Sequence, residues 1–185
     1  VWYAPLQVDG TAGAWTQATL PNVPREEATL VATSTTLYIV GGQVRNTVEY
    51  APIHPDGSLG AWTVTSALPV GRYNLKATAQ GDFIYAVGGM DDGSRVDYAP
   101  ILSDGSLGTW SETSRLNVSH PLPAVVVKND VLYVAAGGVH GYQTATVERA
   151  AIHPDGSLGP WVVDRSLPQA RSGHGGGILG DTFYV

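Results

Sequence analysis

The sequence predicts an all-β fold built from four copies of one short four-stranded unit. Trp15, Trp62, Trp110 and Trp161 recur at intervals of 47, 48 and 51 residues, and a fixed period of this length is typical of repeat architectures. Three other positions keep a constant spacing from each Trp. Twelve residues before the Trp stand Tyr3, Tyr50, Tyr98 and Arg149, and ten residues after it stand Arg25, Arg72, His120 and Arg171. Thirteen residues beyond these come Tyr38, Tyr85, Tyr133 and Tyr184. The copies differ in length only between that last Tyr and the next copy. This variable stretch is therefore expected to be a loop that carries function.

Each copy contains four segments with the composition of short strands. In the second copy these segments read KATAQ, DFIYAV, RVDYAPI and TWSET, are rich in β-branched and aromatic residues, and end at Gly, Asp or Pro. We label the strands a to d. Turn-forming pairs predict the a–b turn at Gly81-Asp82, Asn129-Asp130 and Gly180-Asp181, and the c–d turn at Asp56-Gly57, Asp104-Gly105 and Asp155-Gly156. Paired glycines are predicted to end strand b at Gly41-Gly42, Gly88-Gly89 and Gly137-Gly138. No sustained helical periodicity is present.

The repeat resembles the kelch repeat. The resemblance rests on LYIVGG, IYAVGG and LYVAAGG, on VWYAP, VEYAP and VDYAP, and on the downstream Trp and LPxxR segments, with VERAA departing from the pattern. It implies a β-propeller of four-stranded antiparallel blades, with four blade-equivalents in the chain. The blade parts are expected at 1–19 (strands c and d), 20–66, 67–114, 115–165 and 166–185 (strands a and b). Strand a would line a central channel, with Pro121 and Pro123 in an edge strand and residues 173–177 on the channel wall. The DGSLGxW signature resembles a subgroup found in repetitive prokaryotic surface proteins, which implies an extracellular or cell-surface location.

Composition narrows the classes of partner and cofactor. The net charge of -6 gives no basic footprint for nucleic acid, and no apolar run approaches the roughly 20 residues that span a membrane. The chain has no Cys, which excludes disulfides and thiolate metal sites. A calcium loop at Asp91-Asp92-Gly93-Ser94 would need more oxygen ligands than the loop offers, so a plain turn is expected there. We therefore expect no cofactor and no bound metal.

The candidate binding residues lie on one predicted face. In an up-and-down unit, the start of strand a and the b–c loop share one face, and the a–b and c–d turns share the other. The first face should carry a glycan or protein site with no catalytic residue. Its predicted members are Arg25, Glu27, Arg45, Arg72, Tyr73, Asn74, Asp92, Arg95, His120, His140, Tyr142, Arg171 and His174. Only Tyr73 and Tyr142 among the nine tyrosines stand outside the repeat positions.

Some of these residues also have a structural interpretation. Arg25, Arg72 and Arg171 share one repeat position, which favours bonds to carbonyls of an adjacent blade over ligand binding. His120 breaks that pattern, although a buried structural histidine remains the alternative.

Three functions stay open on the sequence. The first is a non-catalytic recognition module exported to or displayed on a prokaryotic cell surface. The second is a carbohydrate-active enzyme of the kelch mutarotase kind, for which Glu26, Glu27, His120 and Arg171 offer acid–base groups. The third is a structural spacer in a repetitive surface adhesin. A kelch-like copper oxidase of the galactose oxidase kind is disfavoured because it depends on a Cys–Tyr crosslink.

The two ends of the chain and the tryptophans give further expectations. The chain begins in strand c and ends in strand b, so its partners are expected to be the remaining blades of a parent chain or a second copy, and closure with four blades alone is the other alternative. The four repeat tryptophans are expected to be buried between blades. Trp2 occupies the repeat position of Glu49, Asp97 and Glu148 and is expected to be exposed.

Overall fold

A computed structural model describes residues 1–43, 45–139 and 141–185, and this part of the chain contains sixteen β-strands and no helix. A two-stranded antiparallel pair comes first, formed by β1 (Trp2–Tyr3) and β2 (Thr16–Gln17). The first four-stranded sheet contains β3 (Thr29–Ala32), β4 (Thr36–Val40), β5 (Val48–Pro52) and β6 (Thr63–Thr65). The second contains β7 (Lys76–Gln80), β8 (Phe83–Val87), β9 (Val96–Pro100) and β10 (Ser111–Glu112). The third contains β11 (Ala124–Lys128), β12 (Val131–Val139), β13 (Tyr142–Ala151) and β14 (Val162–Val163). A second pair ends the chain, formed by β15 (Gly177–Leu179) and β16 (Thr182–Tyr184).

The all-β prediction and the order of the strands are confirmed. In each four-stranded sheet the strands pair antiparallel in chain order. The repeat aromatic positions lie opposite each other on the two central strands, as in Tyr38 with Tyr50 and Tyr85 with Tyr98. Both ring pairs stack, with centroids 6.3 Å apart, so the repeated Tyr residues fix the register of the sheets.

The predicted turns lie where the turn-forming pairs stand. Gly81-Asp82 joins β7 to β8, and Asn129-Asp130 joins β11 to β12 with positive φ at both residues. In each Asp-Gly turn the Asp carboxylate accepts bonds from the backbone N–H and the hydroxyl of the Ser two residues later, as Asp56 does from Ser58 at 3.0 and 2.7 Å. These bonds lower the pKa of Asp56. The side chain thus closes its own turn, as Asx turns do.

The third sheet departs from the prediction at the end of strand b. Gly137 and Gly138 lie inside β12, which continues to Val139, and the ladder shifts register between Ala135 and Gly137. Ala136 stands where the first and second sheets have Gly41 and Gly88, and all three have positive φ (55°, 67° and 62°). The extra residue of LYVAAGG is therefore absorbed as a β-bulge, which lengthens the hairpin instead of ending the strand.

Apolar clusters join each sheet to the next. Val31, Tyr38 and Val40 of the first sheet pack with Ile84 and Trp110 of the second. A second cluster joins the second sheet to the third in the same way. The first strands also lie side by side, β3 next to β7, β7 next to β11, and β11 next to β15. Pro121 and Pro123 precede β11 and do not lie within it, contrary to the prediction.

Three of the four repeat tryptophans occupy these interfaces. Trp62, Trp110 and Trp161 are 6%, 5% and 7% exposed. Each indole N–H donates to a carbonyl of the preceding unit at 2.9 Å. Burying one indole contributes about 5 kcal/mol.

The prediction of equal burial is wrong for Trp15, which is 65% exposed. The carbonyls that bind Trp62, Trp110 and Trp161 lie 43 to 47 residues upstream of the indole. Among the described residues, no carbonyl accepts a bond from the Trp15 indole, and its ring is exposed.

Trp2 is 59% exposed, as predicted, but the reason given was wrong. Its counterparts Glu49, Asp97 and Glu148 are completely buried. Trp2 lies on β1 and Trp15 directly precedes β2, so both exposed tryptophans belong to the N-terminal strand pair and its connection.

Within the described residues, β1 pairs with β2 alone and β16 with β15 alone. Val1 packs on the first sheet and Val185 on the third. The described residues contain no helix long and apolar enough to cross a membrane.

Candidate functional site

The residues just before β3, β7, β11 and β15, the first strands of their sheets, form a hydrogen-bonded row. Glu27, Asn74, Leu122 and Gly173 occupy one repeat position, and all have left-handed φ values of 57°, 56°, 55° and 68°. The backbone N–H groups of Asn74, Leu122 and Gly173 each donate to the carbonyl of the equivalent residue in the preceding unit, at 3.2, 3.1 and 3.2 Å. Three non-glycine residues in this conformation at one repeat position indicate a backbone that is held by its surroundings. The side chains at this repeat position therefore project from a backbone of constant conformation.

A cavity of about 370 Å³ opens beside this row. Its lining residues come from the starts of the first strands and from the b–c connections: Glu27, Tyr73, Asn74, Met90, Leu122, Gly138, Val139 and Ser172. The backbone N–H of Met90 donates to the Tyr73 carbonyl at 2.9 Å, and that of Gly138 to the Pro121 carbonyl at 2.6 Å. The two kinds of segment that the sequence placed on one face thus meet at this cavity.

Two adjacent repeat positions supply five of the lining residues. The first position holds Glu26, Tyr73, Pro121 and Ser172, and the second holds Glu27, Asn74, Leu122 and Gly173. The backbone at the second position is the same in all copies, whereas the side chains differ in every copy. The cavity therefore combines one aromatic ring, an amide, a carboxylate and a hydroxyl on a repeated scaffold.

Tyr142 lies on the same side as Tyr73. The residue is 87% exposed, and across the β12–β13 hairpin it pairs with Val139, which lines the cavity. The neighbouring Gln143 donates from Nε2 to the hydroxyl of Ser172, another lining residue, at 3.1 Å. The hairpin therefore forms one rim of the cavity.

The predicted arginines of the LPxxR segments are buried structural residues in the first two sheets. Arg25 contacts the Glu49 carboxylate at 2.5 Å and donates to the carbonyls of Gly41 and Thr47 at 3.2 and 2.7 Å. Arg72 forms the same kind of pair with Asp97, with both side chains completely buried. The carbonyls belong to the same sheet as the arginine, so the expected bond to an adjacent blade is wrong.

His120 takes the place of these arginines in the third sheet. It is completely buried. Nδ1–H donates to the Ala136 carbonyl at 2.5 Å, and Nε2 lies 3.1 Å from the Glu148 carboxylate. The imidazole thus lies between the same two kinds of acceptor as the guanidinium groups. His120 is therefore inaccessible to a ligand.

Among the described residues, no acid pairs with Arg171 as acids pair with its counterparts. Its NH1 donates to the carbonyl of Val185 at 3.4 Å. Its Nε is buried and has no hydrogen-bond partner among the described residues. The acids in the other units lie 24 to 28 residues after the Arg or His, a position that follows the last residue of this chain.

Asp92 and Arg95, on the connection between β8 and β9, belong to an ionic network with Asp97, Glu112 and Arg115. Arg95 contacts Asp97 at 2.8 Å and Glu112 at 2.8 Å, and Arg115 contacts Asp92 at 2.8 Å. The bond to Asp97 raises the pKa of Arg95. Burial opposes ionisation of Asp92, but the bonds from Arg115 and Ser94 outweigh it and lower the pKa of Asp92. These charges are paired with one another and do not line the cavity.

His174 lies in a second cavity, of about 230 Å³, between the first strands. Lys76 and Thr29 line it together with Gly175 and Gly176. Nε2 donates to the Ala135 carbonyl at 3.2 Å, and Nδ1 is buried without a partner among the described residues. Burial lowers the pKa of His174, and the nearby Arg171 and Lys76 lower it further.

The remaining two candidates do not join the site. Arg45 is exposed on the loop between β4 and β5 and does not line the cavity. His140 lies outside the described residues. Of the thirteen predicted residues, the structure therefore brings Glu27, Tyr73 and Asn74 together at the cavity, with Tyr142 at its rim.

The sequence reasoning missed Met90, Leu122, Val139 and Ser172. Apolar residues in connecting segments gave no signal of their own. The repeat offered one signal, because Leu122 and Ser172 occupy the positions of Asn74 and Tyr73. No cluster of three or more His, Cys, Asp or Glu side chains that could hold a metal ion occurs in residues 1–43, 45–139 and 141–185.

Comparison with known proteins bears on the fold and not on the function. No family model matches the chain, and no curated protein matches it. Among solved structures, the chain is similar to the structure of YjhT, with a TM-score of 0.63 and 14% sequence identity over 82% of this chain. The chain spans about half of that protein's length (54%). A likeness at this identity concerns the fold and carries no function.

Proposed function

We propose that the chain is part of a kelch-type β-propeller that acts as a non-catalytic recognition module. Four registered repeats, three four-stranded sheets in chain order and the side-by-side first strands support this architecture. The module would bind a glycan or a protein through the face where the first strands start and the b–c connections meet. An extracellular or cell-surface location belongs to the same proposal.

The observation that carries the proposal is the cavity beside Tyr73. Its volume of about 370 Å³ lies in the range of small-molecule sites, about 300–1,000 Å³. An aromatic ring provides an apolar surface for a sugar ring or a peptide side chain, and Asn74, Glu27 and Ser172 provide hydrogen-bonding groups. This combination of an apolar wall with a few polar groups is typical of recognition sites.

The buried position of His120 weighs against the mutarotase alternative. A general acid or base must come within hydrogen-bond reach of the substrate. His120 is enclosed by Ala136 and Glu148 and is completely buried. Glu27 is exposed at the cavity, but a single carboxylate does not supply an acid–base pair.

The proposal is tested by binding to a panel of monosaccharides, oligosaccharides and short peptides, with saturation-transfer NMR as the detection method. Tyr73→Ala should weaken binding about tenfold or more, as loss of a buried aromatic contact does, whereas Tyr73→Phe should retain it. Asn74→Gly removes the amide and keeps the left-handed backbone, so a loss of affinity there reports the side chain. Val64→Ala, an exposed change on the outer strand β6, serves as the control.

Two results would contradict the proposal. One is a chain that binds no member of the panel, which favours the spacer alternative. The other is a bound ligand whose affinity is the same in Tyr73→Ala and in the control. Catalysed anomer exchange that disappears in Glu27→Gln would instead support the enzyme.

A further inference from the structure

The cavity beside Tyr73 carries a single charge. Of the described residues that line it, Glu27 alone is charged at neutral pH, and the others are neutral side chains or glycine. Glu27 is exposed, and none of the ion pairs between described residues includes its carboxylate. A ligand in this cavity therefore meets a carboxylate that no described residue neutralises.

Basic residues border the cavity without entering it. Arg25, Arg72 and Arg95 stand on the segments that supply the lining residues, and each is paired with an acid. Arg45 and Arg171 do not line the cavity either. The described part of its wall thus has no basic side chain to hold a carboxylate, phosphate or sulfate group, which disfavours an anionic ligand.

The backbone donors around the cavity are already used. Four lining residues donate their backbone N–H groups to carbonyls of the protein, at 2.6 to 3.2 Å: Asn74, Met90, Leu122 and Gly138. Anions are bound by such N–H groups where they are free. A carbonyl that accepts one of these bonds keeps a second lone pair. The main chain around the cavity therefore offers acceptors, which favours a ligand that donates hydrogen bonds.

A site with these properties suits a cation that also carries hydroxyl groups. Building on the proposed function, we propose that the ligand is an amino sugar whose protonated amine donates to the Glu27 carboxylate. Bonds between an ammonium group and a carboxylate are stronger than those between neutral groups. The ring of Tyr73 adds attraction for a cation over its face.

The other polar groups favour a sugar over a lysine side chain. The amide of Asn74 both donates and accepts hydrogen bonds. The Ser172 hydroxyl accepts a bond from Gln143 Nε2 at 3.1 Å, so its own proton remains available to a ligand. Sugar hydroxyls can bond to both groups, whereas a lysine side chain has one polar group and leaves them unmatched. Polar groups that lose water without a partner reduce affinity.

The backbone at Glu27 allows its charge to be removed with little other change. Its φ is 57°, and its carbonyl accepts the Asn74 N–H at 3.2 Å. Gln has the length of Glu and no branch at Cβ, so Glu27→Gln removes the charge alone. The adjacent Glu26 is also exposed but does not line the cavity. Glu26→Gln is therefore the matched control for net charge.

Met90 provides a direct signal for occupancy of the cavity. It lines the cavity and is the one Met in the chain, so labelling the Met methyl group with carbon-13 gives a single NMR signal. Titrations would use glucosamine, at mildly acidic pH where its amine is protonated, and glucose, in which a hydroxyl replaces the amine. N-acetylglucosamine and Nα-acetyl-lysine amide complete the series.

Glucosamine should shift the Met90 signal and bind about fivefold more tightly than glucose, the factor that one partly exposed ion pair supplies. Glu27→Gln should abolish this preference, whereas Glu26→Gln should preserve it. N-acetylglucosamine has no charged amine and should bind no more tightly than glucose. Nα-acetyl-lysine amide should bind more weakly than glucosamine.

Three results would overturn the amino-sugar proposal and leave the recognition module in place. The first is equal affinity for glucosamine and glucose in a cavity whose Met90 signal still responds to a sugar. The second is an equal loss of the preference in Glu27→Gln and Glu26→Gln. The third is tighter binding of Nα-acetyl-lysine amide than of glucosamine. If no probe shifts the Met90 signal, the proposed function is refuted together with its ligand.

Discussion

Removal of the buried charge of Asp97 should lower the free energy of unfolding more than removal of an exposed charge does. The Asp97 side chain is completely buried, and it contacts Arg72 together with Arg95, the latter at 2.8 Å. Asp97→Asn keeps the size of the side chain but leaves the buried guanidinium of Arg72 without a counter-charge. Burial lowers the pKa of Arg72 and Asp97 opposes that shift, so the substitution leaves the burial uncompensated. Breaking a buried pair in this way costs about 3–5 kcal/mol.

Urea unfolding followed by Trp fluorescence measures this loss. The matched control is Asp164→Asn, since Asp164 forms an exposed pair with Arg149 at 2.9 Å. Exposed pairs contribute about 0–1 kcal/mol, so the control should lower the free energy of unfolding by less than that amount. If the two variants lost the same free energy, the Arg–acid pairs would not be the structural elements that the geometry indicates.

A double variant tests the physical reason. Arg72→Met combined with Asp97→Leu removes both charges and fills the site with apolar atoms. Replacement of a buried ion pair by apolar residues is often neutral or stabilising. The double variant should therefore recover part of the loss seen in Asp97→Asn, although the carbonyls of Gly88 and Arg95 lose the bonds that Arg72 donates. A double variant as unstable as the single one would show that the loss does not come from an uncompensated charge.

The remaining predictions concern packing, backbone strain and pH. Trp110→Ala should lower the free energy of unfolding by about 3–5 kcal/mol, whereas Tyr142→Ala at an exposed site should change it by less than about 0.5 kcal/mol; denaturant titration compares the two. Ala136→Gly should raise the melting temperature, because Gly relieves about 1 kcal/mol of strain at a φ of 55°. Gly88→Ala should lower it, since φ is positive and the new Cβ would clash with a backbone carbonyl of the next sheet; the opposite order of the two melting temperatures would contradict the strain argument. Burial lowers the pKa of His174 below the ordinary 6.5, so its contribution to stability is present above 6.5 and is lost as the pH falls towards the folded-state pKa. Stability curves at neutral and mildly acidic pH should therefore be flatter for His174→Gln than for the unmodified chain.

Most of the fold follows from local features of the sequence. Short strands and tight turns are encoded within a few residues, so the a–b turn at Asn129-Asp130 and the Asp-Gly turns could be predicted one copy at a time. Comparison of the four copies then fixed the register of the aromatic positions. The bulge at Ala136 was missed because a pair of glycines ends a strand in one context and lies within it in another, and the difference depends on pairing with β13.

The buried charges could not be recognised from single positions. Glu49 and Asp97 stand between apolar or aromatic residues of their strands, and Glu148 follows Val147; an acid on a strand ordinarily faces solvent. Their partners come from the start of the same unit, 24 to 28 residues earlier. Only a correlation between the two positions carries the signal: every copy with both positions in the chain pairs an Arg or His with an acid. Trp15 illustrates the complementary difficulty, because burial of an interface residue depends on a neighbouring unit and is not determined by the repeat motif.

The candidate site follows a different rule from the scaffold. Polar residues that recur at one position, such as Arg25 and Arg72 with their acids, are buried and paired. Residues that differ from copy to copy at a position of constant backbone geometry, such as Glu27 and Asn74, line the open cavity. A repeat protein must keep the interactions that join its units, whereas a binding surface is free to vary where the backbone holds its shape without help from the side chain. Residues that depart from the repeat therefore indicate a binding role for Tyr73 and its neighbours. His120 also departs from the repeat, but it bonds to the same kinds of acceptor as the arginine it replaces and is therefore structural.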